Sequence, residues 1–91
     1  MKVIVTGAGG LIGSESCRFY LEKGAEVVGI DNNLRKYFFG EAGDTSRNIQ
    51  FLSGNHSKFR NYPVDLRDRE KVTGLLKEIG PCDLIIHTAA Q

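Results

Sequence analysis

Apolar residues in this chain fall into two kinds of pattern. Val3, Ile4 and Val5 are consecutive and β-branched and stop at Thr6-Gly7. Such a run reads as a strand buried on both faces, as in a parallel sheet. Residues 11–23 instead follow helical spacing, with Ile12, Ser16 and Phe19 on one face, Cys17, Tyr20 and Leu21 beside it, and Gly24 as the stop. Residues 26–31 return to strand through Val27-Val28-Gly29-Ile30, which completes a βαβ unit with short connections.

The pattern is weaker over residues 32–57, which hold Gly40, Gly43 and Gly54 and read mostly as loop. Within them, Asp44 or Thr45 can cap a short helix running to Ser53, with Ile49 and Leu52 on one face. Residues 58–65 read as a third strand, and Pro63 suits an edge position because it lacks a ladder donor. Asp68 starts a helix with Val72, Leu75, Leu76 and Ile79 at helical spacing, and Gly80-Pro81 ends it. Leu84-Ile85-Ile86-His87 is the fourth strand. Because crossovers between parallel strands are right-handed, the order β-α-β-loop-β-α-β predicts a parallel sheet of strand order 3-2-1-4.

Glycines at 7, 9, 10 and 13 sit between the first strand and the first helix. Gly7 allows the turn out of the strand, Gly10 keeps the backbone bare, and Gly13 lets the helix pack closely on the sheet. The leading amides and positive dipole end of that helix then face a pyrophosphate. The spacing is T-G-x-x-G-x-x-G over Gly7, Gly10 and Gly13. Ile12 rules out G-x-G-x-x-G from Gly7, and Ser14 stands where a P-loop needs lysine. The bland alternative is a glycine-rich turn with no ligand. Asp31 closes the second strand eighteen positions after Gly13, near the expected place for an acid that accepts bonds from the adenosine ribose hydroxyls. A carboxylate there repels a 2′-phosphate and favours NAD over NADP, although Arg35 and Lys36 stand nearby. The competing reading of Asp31-Asn32-Asn33 is plain turn chemistry.

Composition narrows the class further. Ninety-one residues make one small domain, and 41% hydrophobic with 25% charged residues is ordinary for a folded chain. Such a chain withdraws only about 60–65% of its unfolded surface, a thin margin for a sheet needing layers on both sides. Twelve Lys plus Arg against eleven Asp plus Glu leave +1, which gives no footprint for nucleic acid or anionic membrane. No apolar run approaches the roughly 18 residues of a membrane span, and strand-like residues from Lys2 leave no room for a signal peptide. Cys17 and Cys82 are too few for a disulfide scaffold, so a cytoplasmic setting with reduced thiols is expected. With His56 and His87 they also lack metal-ligand spacing. Cys17 reads as a helix-packing residue and His87 as a strand-end packing residue rather than a base. Arg67, Arg69 and Lys71 alternate with acids as on a solvated helix start. Tyr37-Phe38-Phe39 reads as an apolar anchor for the long loop in preference to a nucleotide contact.

Four segments together resemble the extended short-chain dehydrogenase/reductase superfamily, and within it the NAD-dependent nucleotide-sugar epimerases and dehydratases. They are Val5-Thr6-Gly7-Ala8-Gly9-Gly10-Leu11-Ile12-Gly13, Ile30-Asp31-Asn32, Val64-Asp65-Leu66-Arg67-Asp68 and His87-Thr88-Ala89-Ala90-Gln91. Tyr37-Phe38-Phe39-Gly40 and the last segment look most like the CDP-paratose/CDP-tyvelose 2-epimerase branch. The resemblance implies an α/β, Rossmann-type three-layer parallel sheet, present in part, with residues 1–91 as the N-terminal portion of an NAD(P)-binding domain. It implies cofactor contacts from Gly7, Gly10, Leu11, Ile12, Gly13, Asp31, Asn32, Asp65, Leu66, Ala89 and Ala90. Leu11 and Ile12 would offer amides to the pyrophosphate. Asp65 would accept from the adenine amino group, with the Leu66 amide serving a ring nitrogen. Ala89 and Ala90 would leave room for the ribose and nicotinamide side. For Asp65 a helix cap or turn acid is an equal alternative.

The superfamily's catalytic Tyr-x-x-x-Lys pair, in which lysine lowers the tyrosine pKa, is not found here. Four residues after Tyr20, Tyr37 and Tyr62 stand Gly24, Glu41 and Leu66. The expectation is therefore no catalytic residue and no metal ligand in these 91 positions. Two function classes stay open. One is the NAD-binding portion of a nucleotide-sugar epimerase or dehydratase, acting on a nucleotide-diphosphate sugar in the full-length protein, with a homo-oligomer left open. The other is a non-catalytic dinucleotide-binding module serving as a sensor or partner subunit.

Overall fold

The β-branched run at the start of the chain forms a central strand. β1 (Lys2–Thr6) pairs in parallel with β2 (Glu26–Ile30) on one side and with β4 (Leu84–His87) on the other, while β3 (Phe59–Tyr62) flanks β2. The computed structural model describes residues 1–32 and 46–88. Its sheet has the order β3-β2-β1-β4, as the alternation of strands and helices requires.

Side chains alternate across the sheet. Val3, Val5 and Val27 face α1 (Leu11–Glu22) and α2 (Ser46–Asn55), and with Ala8, Cys17, Leu21, Ala25, Leu52 and Phe59 they form the larger core. Ile4, Val28 and Ile30 face the other way and pack with Leu75 of α3 (Arg69–Ile79), flanked by Tyr62, Val64, Leu66, Ile79 and Cys82. Each large aliphatic side chain withdrawn this way contributes roughly 1.5–3 kcal/mol. Asp68 caps α3 by accepting a bond from the Lys71 amide at 3.2 Å, which matches the predicted helix start.

Several boundaries move. α1 rests on the sheet through Gly13, Cys17 and Leu21, as expected of Gly13 and Cys17, and Ile12, Ser16 and Phe19 are not among its buried residues. Ile12 is 70% and Phe19 53% exposed. The helix sits this way because Gly13 must abut the backbone of Gly7, and burial then follows every fourth residue from Gly13. The third strand is shorter than residues 58–65: it is an edge strand that ends at Tyr62, and Pro63 lies just past it, outside the ladder. The second helix runs to Asn55 with Leu52 buried and Ile49 packed against the core. Its predicted caps, Asp44 and Thr45, lie outside the described residues, as do Arg35, Lys36 and the 37–40 segment. On β4, Leu84 and Ile86 pack against the larger core and Ile85 is 56% exposed.

Register places the strand ends together. Thr6 pairs with both Ile30 and His87, and Ile30 pairs with Tyr62. All four strands therefore stop on one rung, and the segments that follow them gather along one edge of the sheet.

Candidate functional site

That edge begins with the turn from β1 into α1. Gly7 has φ 70, a left-handed conformation that a side chain disfavours. Its amide donates to the Ile30 carbonyl at 2.8 Å, and its carbonyl accepts from the Gly10 amide at 3.0 Å. A β-carbon on Gly13 would overlap the Gly7 carbonyl oxygen and stand 2.7 Å from the Gly7 carbonyl carbon and 2.9 Å from Thr88 Oγ1. Gly7 and Gly13 are thus demanded by the protein's own packing. Gly10 is not. Its φ is −74, open to any residue, and among the described residues a β-carbon there would meet only the Gly7 oxygen, at 3.4 Å. Its missing side chain leaves the space above the turn clear for something else.

Gly10 is the N-cap of α1 and provides no side-chain cap, and the Ser14 amide donates to its carbonyl at 2.8 Å. The amides of Leu11, Ile12 and Gly13 precede that first bond, where helix amides lack intrahelical acceptors and the dipole is positive. The Leu11 and Ile12 side chains are 81% and 70% exposed. The arrangement suits an anion, the chemistry expected of a pyrophosphate cradle.

Asp31 follows β2 directly and comes to the same turn. Its Oδ2 accepts from the Gly9 amide at 2.8 Å, across 22 residues of sequence. The Asn61 amide of β3 donates to the Asp31 carbonyl at 3.1 Å, fixing the backbone there. Asn32 is half-buried beside it. Gly29, in β2, has its missing side chain filled by neighbours: a β-carbon would lie 2.7 Å from Ala8 Cβ and 3.0 Å from Asn61 Oδ1.

Asp65 lies beyond β3 on the same side of the sheet edge. Its carboxylate takes Arg67 Nη2 at 2.7 Å, Arg67 Nε at 3.1 Å and the Arg67 amide at 2.9 Å. The Arg67 side-chain bonds, then its backbone bond, hold the Asp65 carboxyl down at about 2. Asp65 thus closes its turn onto Arg67, while the cap of α3 is Asp68. Leu66 packs its side chain against the smaller core. On the β4 side, Thr6 Oγ1 lies 2.7 Å from His87 Nδ1 and accepts from the Thr88 amide at 3.1 Å, and Thr88 Oγ1 donates to the Thr6 carbonyl at 2.6 Å. His87 therefore holds the strand ends together. Ala89 and Ala90 lie outside the described residues.

Cys17 is fully buried under the turn, and burial, followed by the Asp31 charge, pushes its thiol up to about 12. It packs in the larger core. No group of three or more His, Cys, Asp or Glu among the described residues could hold a metal ion. No described helix is long and apolar enough to cross a membrane.

The structure thus gathers Gly7, Gly10, Leu11, Ile12, Gly13, Asp31 and Asn32 around one turn. It adds two side chains that sequence reasoning passed over, Asn61 and Asn48. The Asn48 amide, from the first turn of α2, donates to the Gly9 carbonyl at 2.8 Å. Neither carries a local sequence signal, because both act through contacts to distant backbone.

A parallel sheet in this order, with a glycine turn opening a helix at its carboxyl edge, defines a Rossmann-type α/β domain. The chain belongs to the NAD dependent epimerase/dehydratase family, whose model matches residues 3–91. It is 34% identical over 89 residues to a UDP-glucose 4-epimerase of Drosophila melanogaster, covering 97% of this chain and 25% of the relative. It is 33% identical over 91 residues to a CDP-paratose 2-epimerase of Salmonella typhi, covering 100% of this chain and 24% of that one. Among solved structures, a UDP-Glc/GlcNAc 4-epimerase from Campylobacter jejuni superposes with a TM-score of 0.77 at 28% identity, over 99% of this chain and 24% of the other. The chain spans about a quarter of the length of these relatives.

Proposed function

We propose that these 91 residues are the dinucleotide-binding, N-terminal part of a nucleotide-sugar epimerase or dehydratase that uses NAD. The observation that carries the reading is Gly10, a glycine that neither its φ nor packing among the described residues requires, set at the leading amides of α1. The pyrophosphate takes the amides of Leu11 and Ile12 across the bare turn. Asp31, with Asn32 beside it, accepts the adenosine ribose hydroxyls, and its negative charge disfavours a 2′-phosphate. Asp65 and the Leu66 amide receive the adenine, while Ala89 and Ala90 give room on the nicotinamide side. When bound, NAD supplies a reversible hydride acceptor; this chain's residues bind and orient it.

In the full-length protein the partner is a nucleotide-diphosphate sugar, in keeping with what the names of the relatives say of those proteins. Proton transfer to and from the sugar falls to residues outside this sequence, since no Tyr-x-x-x-Lys occurs in it. Calorimetric titration of the chain with NAD tests the reading. One equivalent bound is expected, together with no turnover of nucleotide sugars by the 91-residue chain; absence of NAD binding overturns it.

A further inference from the structure

We infer that Asn48 is a positioning residue for the dinucleotide turn, an inference that rests on the reading of that turn as the cofactor site. Gly9 lies at the middle of the turn, and both polar groups of this residue are held by side chains from other elements. Its N–H donates to Asp31 Oδ2 at 2.8 Å, and its C=O accepts from Asn48 Nδ2 at 2.8 Å. The first clamp comes from the end of β2 and the second from the first turn of α2, 39 residues away in sequence.

The consequence lies one peptide further on. Fixing the Gly9 carbonyl fixes the plane of the Gly9–Gly10 peptide, whose N–H points back to the Gly7 oxygen at 3.0 Å. That orientation sets where the next amides, Leu11 and Ile12, present themselves. A glycine turn is otherwise free to rotate its peptides, and preorganised donors hold an anion better than donors that must be ordered on binding. Asn48 touches no cofactor atom in this account. It acts through Gly9, and it ties the turn to α2, which is anchored by the buried Leu52 one helical turn later.

Two variants test this on the full chain, Asn48→Ala and Asn48→Leu. Asn48 is exposed, and both replacements favour helix more than asparagine does, so α2 keeps its fold while the donor is lost. The expected result is a dissociation constant for NAD raised roughly five- to tenfold in both variants, the loss of about one hydrogen bond. The thermal midpoint stays at the wild-type value. In the ligand-free proteins, amide resonances of Gly9, Gly10 and Leu11 shift while those of Val3 and Val27 hold still. Wild-type affinity in both variants overturns the inference, and so does weakened binding that comes only with lost thermal stability. A wild-type chain that binds no NAD overturns the reading of the turn and this inference with it.

Discussion

Gly13 and Gly7 touch backbone to backbone: a β-carbon on Gly13 would overlap the Gly7 carbonyl oxygen and press on Thr88 Oγ1. This contact seats α1 on the sheet, turns its Cys17 and Leu21 inward, and leaves Ile12 and Phe19 outside. Gly10, three residues earlier, has no such contact among the described residues. Two glycines of one motif therefore differ: the fold requires Gly13, and the proposed cofactor site gives Gly10 its use.

Their substitutions should separate cleanly. Gly13→Ala should destabilise the domain by about 1–3 kcal/mol through overpacking, read as a lower urea midpoint. Gly10→Ala should leave the urea midpoint close to wild type and weaken NAD binding, because the methyl group enters the space over the amides. Equal loss of stability in the two variants would contradict the division.

The Cys17 thiol should stay unreactive in the folded chain. With its pKa raised to about 12 by burial and then by Asp31, it carries almost no thiolate near neutral pH, and the side chain is enclosed. A disulfide-exchange reagent at pH 8 should modify half-buried Cys82 and reach Cys17 only in denaturant. The linkage has a sign as well. A raised folded pKa favours the fold below the ordinary thiol value near 9 and withdraws that support as pH climbs towards 12. Cys17→Ser should flatten this part of the alkaline stability profile.

Asp65 gives the opposite dependence. Its folded pKa, lowered to about 2 mainly by the Arg67 side chain, supports the fold above the ordinary carboxylate value of 3.8 and ceases to do so as pH falls towards 2. Arg67→Ala should return the Asp65 carboxyl to the ordinary carboxylate range in a carbon-detected NMR titration. A titration midpoint unchanged in that variant would show that Arg67 is not the cause.

The exposed apolar side chains of Leu11, Ile12, Phe19 and Ile85 should make the 91-residue chain self-associate as its concentration rises. Ile85 stands on β4, an edge strand of the described sheet, and such edges template pairing. Ile85→Lys should shift sedimentation towards monomer; a chain monomeric at every concentration would contradict this.

Much of this was legible in the amino-acid order. The runs at Val3-Ile4-Val5 and Val27-Val28 are apolar on both faces, as strands of a parallel sheet covered on both sides are. The sheet order followed from handedness. Gly7 and Gly13 stood at positions whose geometric need could be named in advance, and Asp31 ended a strand where an acid could reach the turn. The orientation of α1 was legible through Gly13 and Cys17 but not through its apolar pattern, because Ile12 and Phe19 are as apolar as Cys17 and Leu21 and the glycine contact decides between them. Asn48 and Asn61 were invisible for a related reason. Each is an ordinary polar residue until folding brings it to a backbone carbonyl more than two dozen residues away. For Asp65 the sequence left a cap or turn acid level with an adenine contact; the structure gives the cap to Asp68 and bonds Asp65 to Arg67, which leaves the adenine contact a proposal.

The central claim is that Asp31 and the turn it holds bind NAD. Its most direct test is calorimetric titration of wild type and Asp31→Ala with NAD and with NADP. The account predicts that wild type binds NAD at least about tenfold more tightly than NADP, and that Asp31→Ala loses about tenfold in NAD affinity and most of that preference, the effect of removing charge-assisted hydrogen bonds. An Asp31→Ala chain that binds NAD as tightly as wild type, with the same preference over NADP, would contradict it.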